Sequence, residues 1–158
     1  RPLTELFRKA KALGVNTCLD TSAQPFSRKD SFFPAFEQLM HFTDLVLLDI
    51  KHIDSDAHKQ LTGWDNRDIL DCARYLSDIH KPVWIRYVLV PGINDDDESL
   101  HRYRAFLDTL DNVERVEVLP YHSLGVYKWE QLGIPYTLKE VEPPTEESLR
   151  HVRKILTE

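Results

Sequence analysis

Two rhythms of apolar and polar positions alternate along this chain, and the switches between them mark its elements. Residues Leu3, Leu6, Phe7, Ala10 and Leu13 recur at helical spacing between Pro2 and Gly14, which predicts an amphipathic helix with Pro at its start and Gly at its end. Val15 to Thr21 is rich in β-branched residues and predicts a strand that carries Asp20 at its carboxyl end. A polar stretch from Ser22 to Asp30 leads to an apolar-faced helix over Phe32 to Phe42. Asp44 to Lys51 then reads as a buried central strand whose last residues turn charged. Strand side chains alternate, so Leu45, Leu47, Asp49 and Lys51 share one face while Val46, Leu48 and Ile50 share the other.

The same alternation continues downstream. A short helix is expected from Ser55 to Leu61, a turn at Gly63 and Trp64, and a helix from an Asn66 N-cap to about His80 with Ile69, Leu70, Ala73, Leu76 and Ile79 buried. Val83 to Val90 is the strongest strand pattern, broken only by Arg86 and stopped by Pro91-Gly92. The acidic run Asn94 to Glu98 opens a helix to Leu110, where negative charge suits the positive end of the dipole better than it suggests a metal site. A fourth strand covers Val113 to Leu119. A short helix over Val126 to Leu132, a linker from Gly133 to Pro144 and a last helix capped by Thr145 complete the chain.

Strands that alternate with helices of this length imply right-handed crossovers and a parallel sheet. If the apolar strand faces pack on helices, Asp49 and Lys51 share the opposite surface with Arg86, Asp20 and Glu117. Ligands of such sheets bind at the carboxyl ends of the strands, where Asp49 and Lys51 fall. A closed barrel fills its centre with apolar layers, so charges there point to an α/β fold that is either open or a partial (β/α) TIM-like barrel, its wall lining a cleft. The plainer alternative is that Asp49 with Lys51, or Glu117 with Arg86, are internal ion pairs without a ligand.

Composition narrows the class. The 158 residues, 42% of them apolar, suit a single domain spanning residues 1–158. A net charge of −6 with scattered Lys and Arg argues against a nucleic-acid or membrane-surface partner. The two cysteines, Cys18 and Cys72, lack metal-ligand spacing and are expected to be small core residues in a reducing, cytoplasmic setting. Trp64, Tyr127 and Trp129 are expected to pack, with a contact surface as the alternative.

Four collinear motifs add a resemblance. Cys18-Leu19-Asp20-Thr21, Asp44 to Lys51, Trp84 to Gly92 and Leu119-Pro120-Tyr121-His122 closely resemble the pyruvate formate-lyase activating enzymes, the glycyl-radical enzyme activating family of the radical S-adenosylmethionine superfamily. The resemblance implies a partial barrel that binds a [4Fe–4S] cluster and S-adenosylmethionine and cleaves the latter reductively to a 5′-deoxyadenosyl radical. That radical would abstract hydrogen from a backbone glycine of a pyruvate formate-lyase type partner, with a flavodoxin- or ferredoxin-type electron donor. Carried over by position, Asp49, Ile50, Lys51 and His122 match cofactor contacts. Lys51 suits the methionyl carboxylate, Asp49 the amino group or a cation, and His122 a hydrogen bond. Arg86 would hold the cofactor or the incoming glycine loop, and Asp20 with Thr21 would complete an oxygen-lined subsite.

The family's C-x₃-C-x₂-C cluster motif and Gly-Gly-Glu segment do not occur in these residues. The chain is therefore expected to be the carboxyl-terminal portion of a longer enzyme and inactive alone. Two other readings stay open: a β/α-barrel lyase or aldolase in which Lys51 forms a Schiff base, and a non-catalytic, cluster-less domain that binds a partner.

Overall fold

The computed structural model describes residues 2–157. In chain order the elements are α1 (Pro2–Ala12), β1 (Cys18–Thr21), α2 (Phe33–Met40), β2 (Leu45–Asp49), α3 (Ser55–Thr62), α4 (Arg67–Asp78), β3 (Val83–Leu89), α5 (Asp97–Leu107), β4 (Val113–Pro120), α6 (Val126–Gln131) and α7 (Glu146–Thr157). The four strands form one parallel sheet in the order β1-β2-β3-β4. Sequential order with right-handed crossovers puts the connecting helices on one side, and the sheet becomes an arc of barrel wall.

Burial along the strands follows the period of two. Val46, Leu48 and Ile50, then Val83, Ile85, Tyr87 and Leu89, face a core built with Phe36 and Leu39 of α2, Ile69, Cys72 and Leu76 of α4, Leu100 and Tyr103 of α5, and Leu149, Val152 and Leu156 of α7. Each such side chain contributes about 1.5–3 kcal/mol by leaving water, enough to fix which face turns inward and to leave the intervening residues on the other. Those intervening residues are only half-buried in β2 and β3. The register aligns them into rows: Asp20 beside Leu47 beside Trp84 beside Arg115, then Asp49 beside Arg86 beside Glu117.

Several local expectations are corrected. Asn66 occupies the position before α4, but its side chain does not cap; it is buried and donates to the carbonyls of His52 and Ile53 at 3.1 and 2.7 Å, tying down the loop after β2. The helix expected from Asn94 begins at Asp97, with Asp96 as its cap accepting from the Ser99 N–H at 2.8 Å. Cys72 lies in the core, whereas Cys18 is exposed because β1 is an edge strand and the face that Cys18 shares with Asp20 is uncovered. Leu3 and Leu6 of the apolar stripe of α1 are also exposed, as is Leu13 just beyond its end. Trp64 and Tyr127 are exposed, and Trp129, also exposed, sets its ring 5.4 Å from that of Tyr136.

Two features shape the loops above the sheet. Phe26 inserts between the rings of Phe33, Phe36 and Tyr75, with an edge-on contact of 5.3 Å to Phe36, and so fastens the loop after β1 to α2 and α4. Gly63 ends α3 at φ 85°, a left-handed conformation in which glycine carries no Cβ penalty. No helix among the described residues is long and apolar enough to cross a membrane.

Candidate active site

The charged side chains expected at the carboxyl end of the sheet meet on its uncovered face. Arg86 reaches Asp49 with two nitrogens, Nε to Oδ1 at 3.1 Å and Nη2 to Oδ2 at 3.2 Å, and its Nη2 also donates to Asp20 at 2.5 Å. Lys51 pairs with the same Asp49 at 3.1 Å. Two carboxylates and two cations thus form one continuous network across β1, β2 and β3. Partial burial works against the Arg86 charge, but attraction from Asp49 and Asp20 outweighs it and raises the guanidinium pKa. Glu117 shares this face, yet its partner is Arg115 at 3.2 Å rather than Arg86. Arg115 in turn lies over the Trp84 ring at 4.9 Å.

Lys51 and His122 line a common cleft of about 380 Å³, whose apolar walls come from Val88, Leu119, Tyr121 and Leu138. His122 is exposed at the end of β4, and Lys51 is half-buried at the end of β2. Asp20 and Asp49 stand to one side, joined to this cleft through Arg86 and Lys51. Ile50 is different: its side chain is fully buried in the core, and its carbonyl accepts from the Tyr103 hydroxyl at 3.1 Å. Its side chain does not reach the cleft.

A buried amide that sequence reasoning missed holds this arrangement. Asn94 has no exposed surface; its Oδ1 accepts from the Val90 N–H at 2.7 Å, and its Nδ2 donates to the carbonyls of Lys51 at 3.0 Å and Val88 at 2.9 Å. The Tyr87 hydroxyl donates to the Asn94 carbonyl. One side chain therefore clamps the ends of the two strands that bear Asp49, Lys51 and Arg86. Nothing in the pattern of the acidic run sets Asn94 apart, since its burial depends on the Pro91-Gly92 turn folding back between strands. His52, on the following loop, is also buried. Its Nδ1 accepts from the Asp54 N–H at 3.0 Å, and burial lowers its pKa despite the opposing pull of Asp54 and Asp96.

The arrangement offers a cation for a ligand carboxylate, a carboxylate pair for a cationic group, and an apolar wall with an imidazole above it. The [4Fe–4S] group fits these residues poorly. Cys18 lies at the edge of the uncovered face and Cys72 is buried on the helix side, with burial pushing its thiol up to about 12. Among the described residues no group of three or more His, Cys, Asp or Glu side chains is arranged to hold a metal ion.

Comparison with known proteins defines the class. The Radical SAM superfamily model matches residues 1–103, and the chain belongs to that superfamily. Pyruvate formate-lyase-activating enzyme of Staphylococcus epidermidis is 55% identical over 148 residues, covering 94% of this chain and 59% of the relative. Its counterpart in Streptococcus mutans is 53% identical over 154 residues, covering 98% of this chain and 59% of the relative. The chain thus spans about 59% of the length of these relatives. Among solved structures, a domain of pyruvate-formate lyase-activating enzyme from Bacteroides vulgatus superposes with a TM-score of 0.77 at 24% identity, covering 98% of this chain and 83% of that one. A radical SAM methyltransferase from Sphaerobacter thermophilus superposes with a TM-score of 0.63 at 19% identity, covering 91% and 39%. Both support the partial (β/α) barrel fold.

Proposed function

We propose that residues 1–158 are one unit, the carboxyl-terminal portion of a glycyl-radical enzyme activase, and that they hold S-adenosylmethionine and orient a partner's glycine toward it. The observation that carries this reading is the network of Asp20, Arg86, Asp49 and Lys51 on the open face, continuous through Lys51 with the cleft that His122 borders. The donor set suits the cofactor. Lys51 neutralises a carboxylate, and Asp49, already bridged by two cations, accepts from an ammonium only in exchange for one of them. His122 hydrogen-bonds at the rim, and Val88, Leu119 and Leu138 cover an apolar ring. When bound and reduced by one electron, S-adenosylmethionine supplies the group that abstracts hydrogen.

These residues bind, orient and exclude water, and Cys18 and Cys72 lie on different sides of the sheet. Arg86 can hold its place between two acids while the partner's loop enters, and that rigidity favours a reproducible distance to the target glycine. The relatives named pyruvate formate-lyase-activating enzyme support a pyruvate formate-lyase type partner. We extend the reading to a flavodoxin- or ferredoxin-type electron donor and a cytoplasmic location. The Schiff-base and partner-only readings are less favoured, since Lys51 is engaged by Asp49 and belongs to a four-residue network.

The test uses the full-length protein that carries this chain, a pyruvate formate-lyase, S-adenosylmethionine and a one-electron reductant under anaerobic conditions. Electron paramagnetic resonance should record a glycyl radical on the partner, and chromatography should recover 5′-deoxyadenosine in equal amount. Absence of both products with a fully loaded protein would refute the proposal.

A further inference from the structure

The stretch between β4 and α7 is tied to the sheet by a single side chain. No residue from 122 to 148 is buried. Its backbone hydrogen bonds are short-range, the Leu132 N–H to the Lys128 carbonyl and the Val141 N–H to the Leu138 carbonyl among them. Among the described residues, the hydrogen bonds that join this stretch to the sheet are both made by the Tyr121 hydroxyl, which lies 3.2 Å from the Leu138 carbonyl and 2.9 Å from the Tyr136 hydroxyl. A carbonyl only accepts, so the one Tyr121 proton goes to Leu138, and the Tyr136 hydroxyl donates to the Tyr121 oxygen. Burial, and then the bond to Tyr121, push the Tyr136 phenol up to about 12, so it keeps the proton it donates. Tyr121 itself is a fixed post: it is buried, and its N–H donates to the Leu89 carbonyl at 3.0 Å, continuing the sheet.

The two residues that this hydroxyl holds are cleft residues. Tyr136 and Leu138 line the cleft of about 380 Å³ together with Lys51 and Val88 at the strand ends and Leu61 and Thr62 of α3. The ring of Trp129 stands 5.4 Å from that of Tyr136 and carries the hold on to α6. A stretch without buried residues opens at little cost. A ligand seated against Tyr136 and Leu138 gains contacts that exist only while they stay down, so it favours the closed form. We propose that Tyr121 is a positioning residue whose hydroxyl latches residues 122–144 as a strap over the cleft, and that release of this strap sets how fast the bound ligand leaves. The inference rests on the reading of the cleft as an S-adenosylmethionine site.

The test follows association and dissociation of S-adenosylmethionine on the full-length protein, anaerobically and without reductant so that the ligand stays whole. Tyr121→Phe keeps the ring and removes both latch bonds; dissociation should quicken about tenfold while association changes less than about twofold. Tyr136→Phe removes one bond and should quicken dissociation about threefold. The double variant should match Tyr121→Phe alone, because both changes act through one hydroxyl. Trypsin gives a second readout, since Lys128 and Lys139 are exposed within the strap. Saturating ligand should slow cleavage at both about fivefold or more in wild type, and less in Tyr121→Phe. Tyr136 is only half-buried, so Tyr136→Phe keeps the test open should Tyr121→Phe fail to fold. Equal dissociation rates in wild type and variants, or cleavage at Lys128 and Lys139 that ignores the ligand, would overturn the strap and leave the S-adenosylmethionine reading standing. If wild type binds no S-adenosylmethionine, both fall.

Discussion

Replacing Asn94 with leucine should be among the most damaging single changes outside the cleft. The side chains are similar in volume, so little cavity is created, and the effect isolates hydrogen bonding. Three backbone groups lose their partners at once: the Val90 N–H and the Lys51 and Val88 carbonyls, now bonded at 2.7, 3.0 and 2.9 Å. A buried group left unpaired costs about 1–3 kcal/mol, and an N–H suffers more than a carbonyl, so the sum is about 3–5 kcal/mol. For a domain with a urea slope of about 2 kcal/mol/M, the midpoint should fall by about 2 M. Asn94→Asp adds a pH signature. Its carboxyl would be buried against two carbonyl oxygens, so its folded pKa would lie above the unfolded value of about 3.9. The penalty relative to wild type is then smallest below about pH 3.9 and grows as pH rises through the raised value. Urea titrations of wild type and both variants at several pH values measure this. A leucine variant that loses less than about 1 kcal/mol, or an aspartate variant whose deficit does not grow with pH, would refute the clamp.

Three further outcomes follow from separate features. His52 is held neutral by burial below the usual 6.5, so the unfolded chain binds a proton that the folded one refuses; stability present above 6.5 should decline as pH falls, and His52→Gln should flatten the decline seen in urea midpoints between pH 7.5 and 5.5. An equal decline in both proteins would contradict this. Iodoacetamide should label Cys18 in the native 158-residue chain and reach Cys72, whose thiol is pushed up to about 12 by burial, only after unfolding; peptide mapping that finds Cys72 labelled first would overturn the assignment. Anaerobic incubation of the same chain with iron and sulfide should give no stable [4Fe–4S] absorption, whereas a stoichiometric cluster would contradict the reading of its two cysteines.

The elements that could be read from sequence are those in which local pattern and tertiary burial agree. Leu45 to Asp49 and Val83 to Leu89 alternate as their composition implies, and the same alternation correctly put Asp49, Lys51, Arg86, Asp20 and Glu117 on one face. What escaped depends on distant neighbours. Whether Arg86 pairs with Glu117 or with Asp49 and Asp20 is decided by side-chain reach across strands, which register alone leaves open. Asn94 and Asn66 look like ordinary helix-start residues, yet each is recruited by backbone carbonyls of another loop or strand. The exposure of Cys18 and of the α1 stripe reflects which surfaces lack a neighbour, information absent from the residues themselves.

The central claim is that the end of β2 and the end of β4 together hold S-adenosylmethionine, and calorimetric titration of that ligand into the full-length protein tests it most directly. Lys51→Ala removes a charge-assisted bond worth about 1.5–3 kcal/mol, so affinity should fall at least about tenfold. His122→Ala should weaken binding by a smaller factor, with urea midpoints near wild type because both side chains lie at the cleft rather than in the core. Unchanged affinity in both variants would remove these residues from the site and contradict the account.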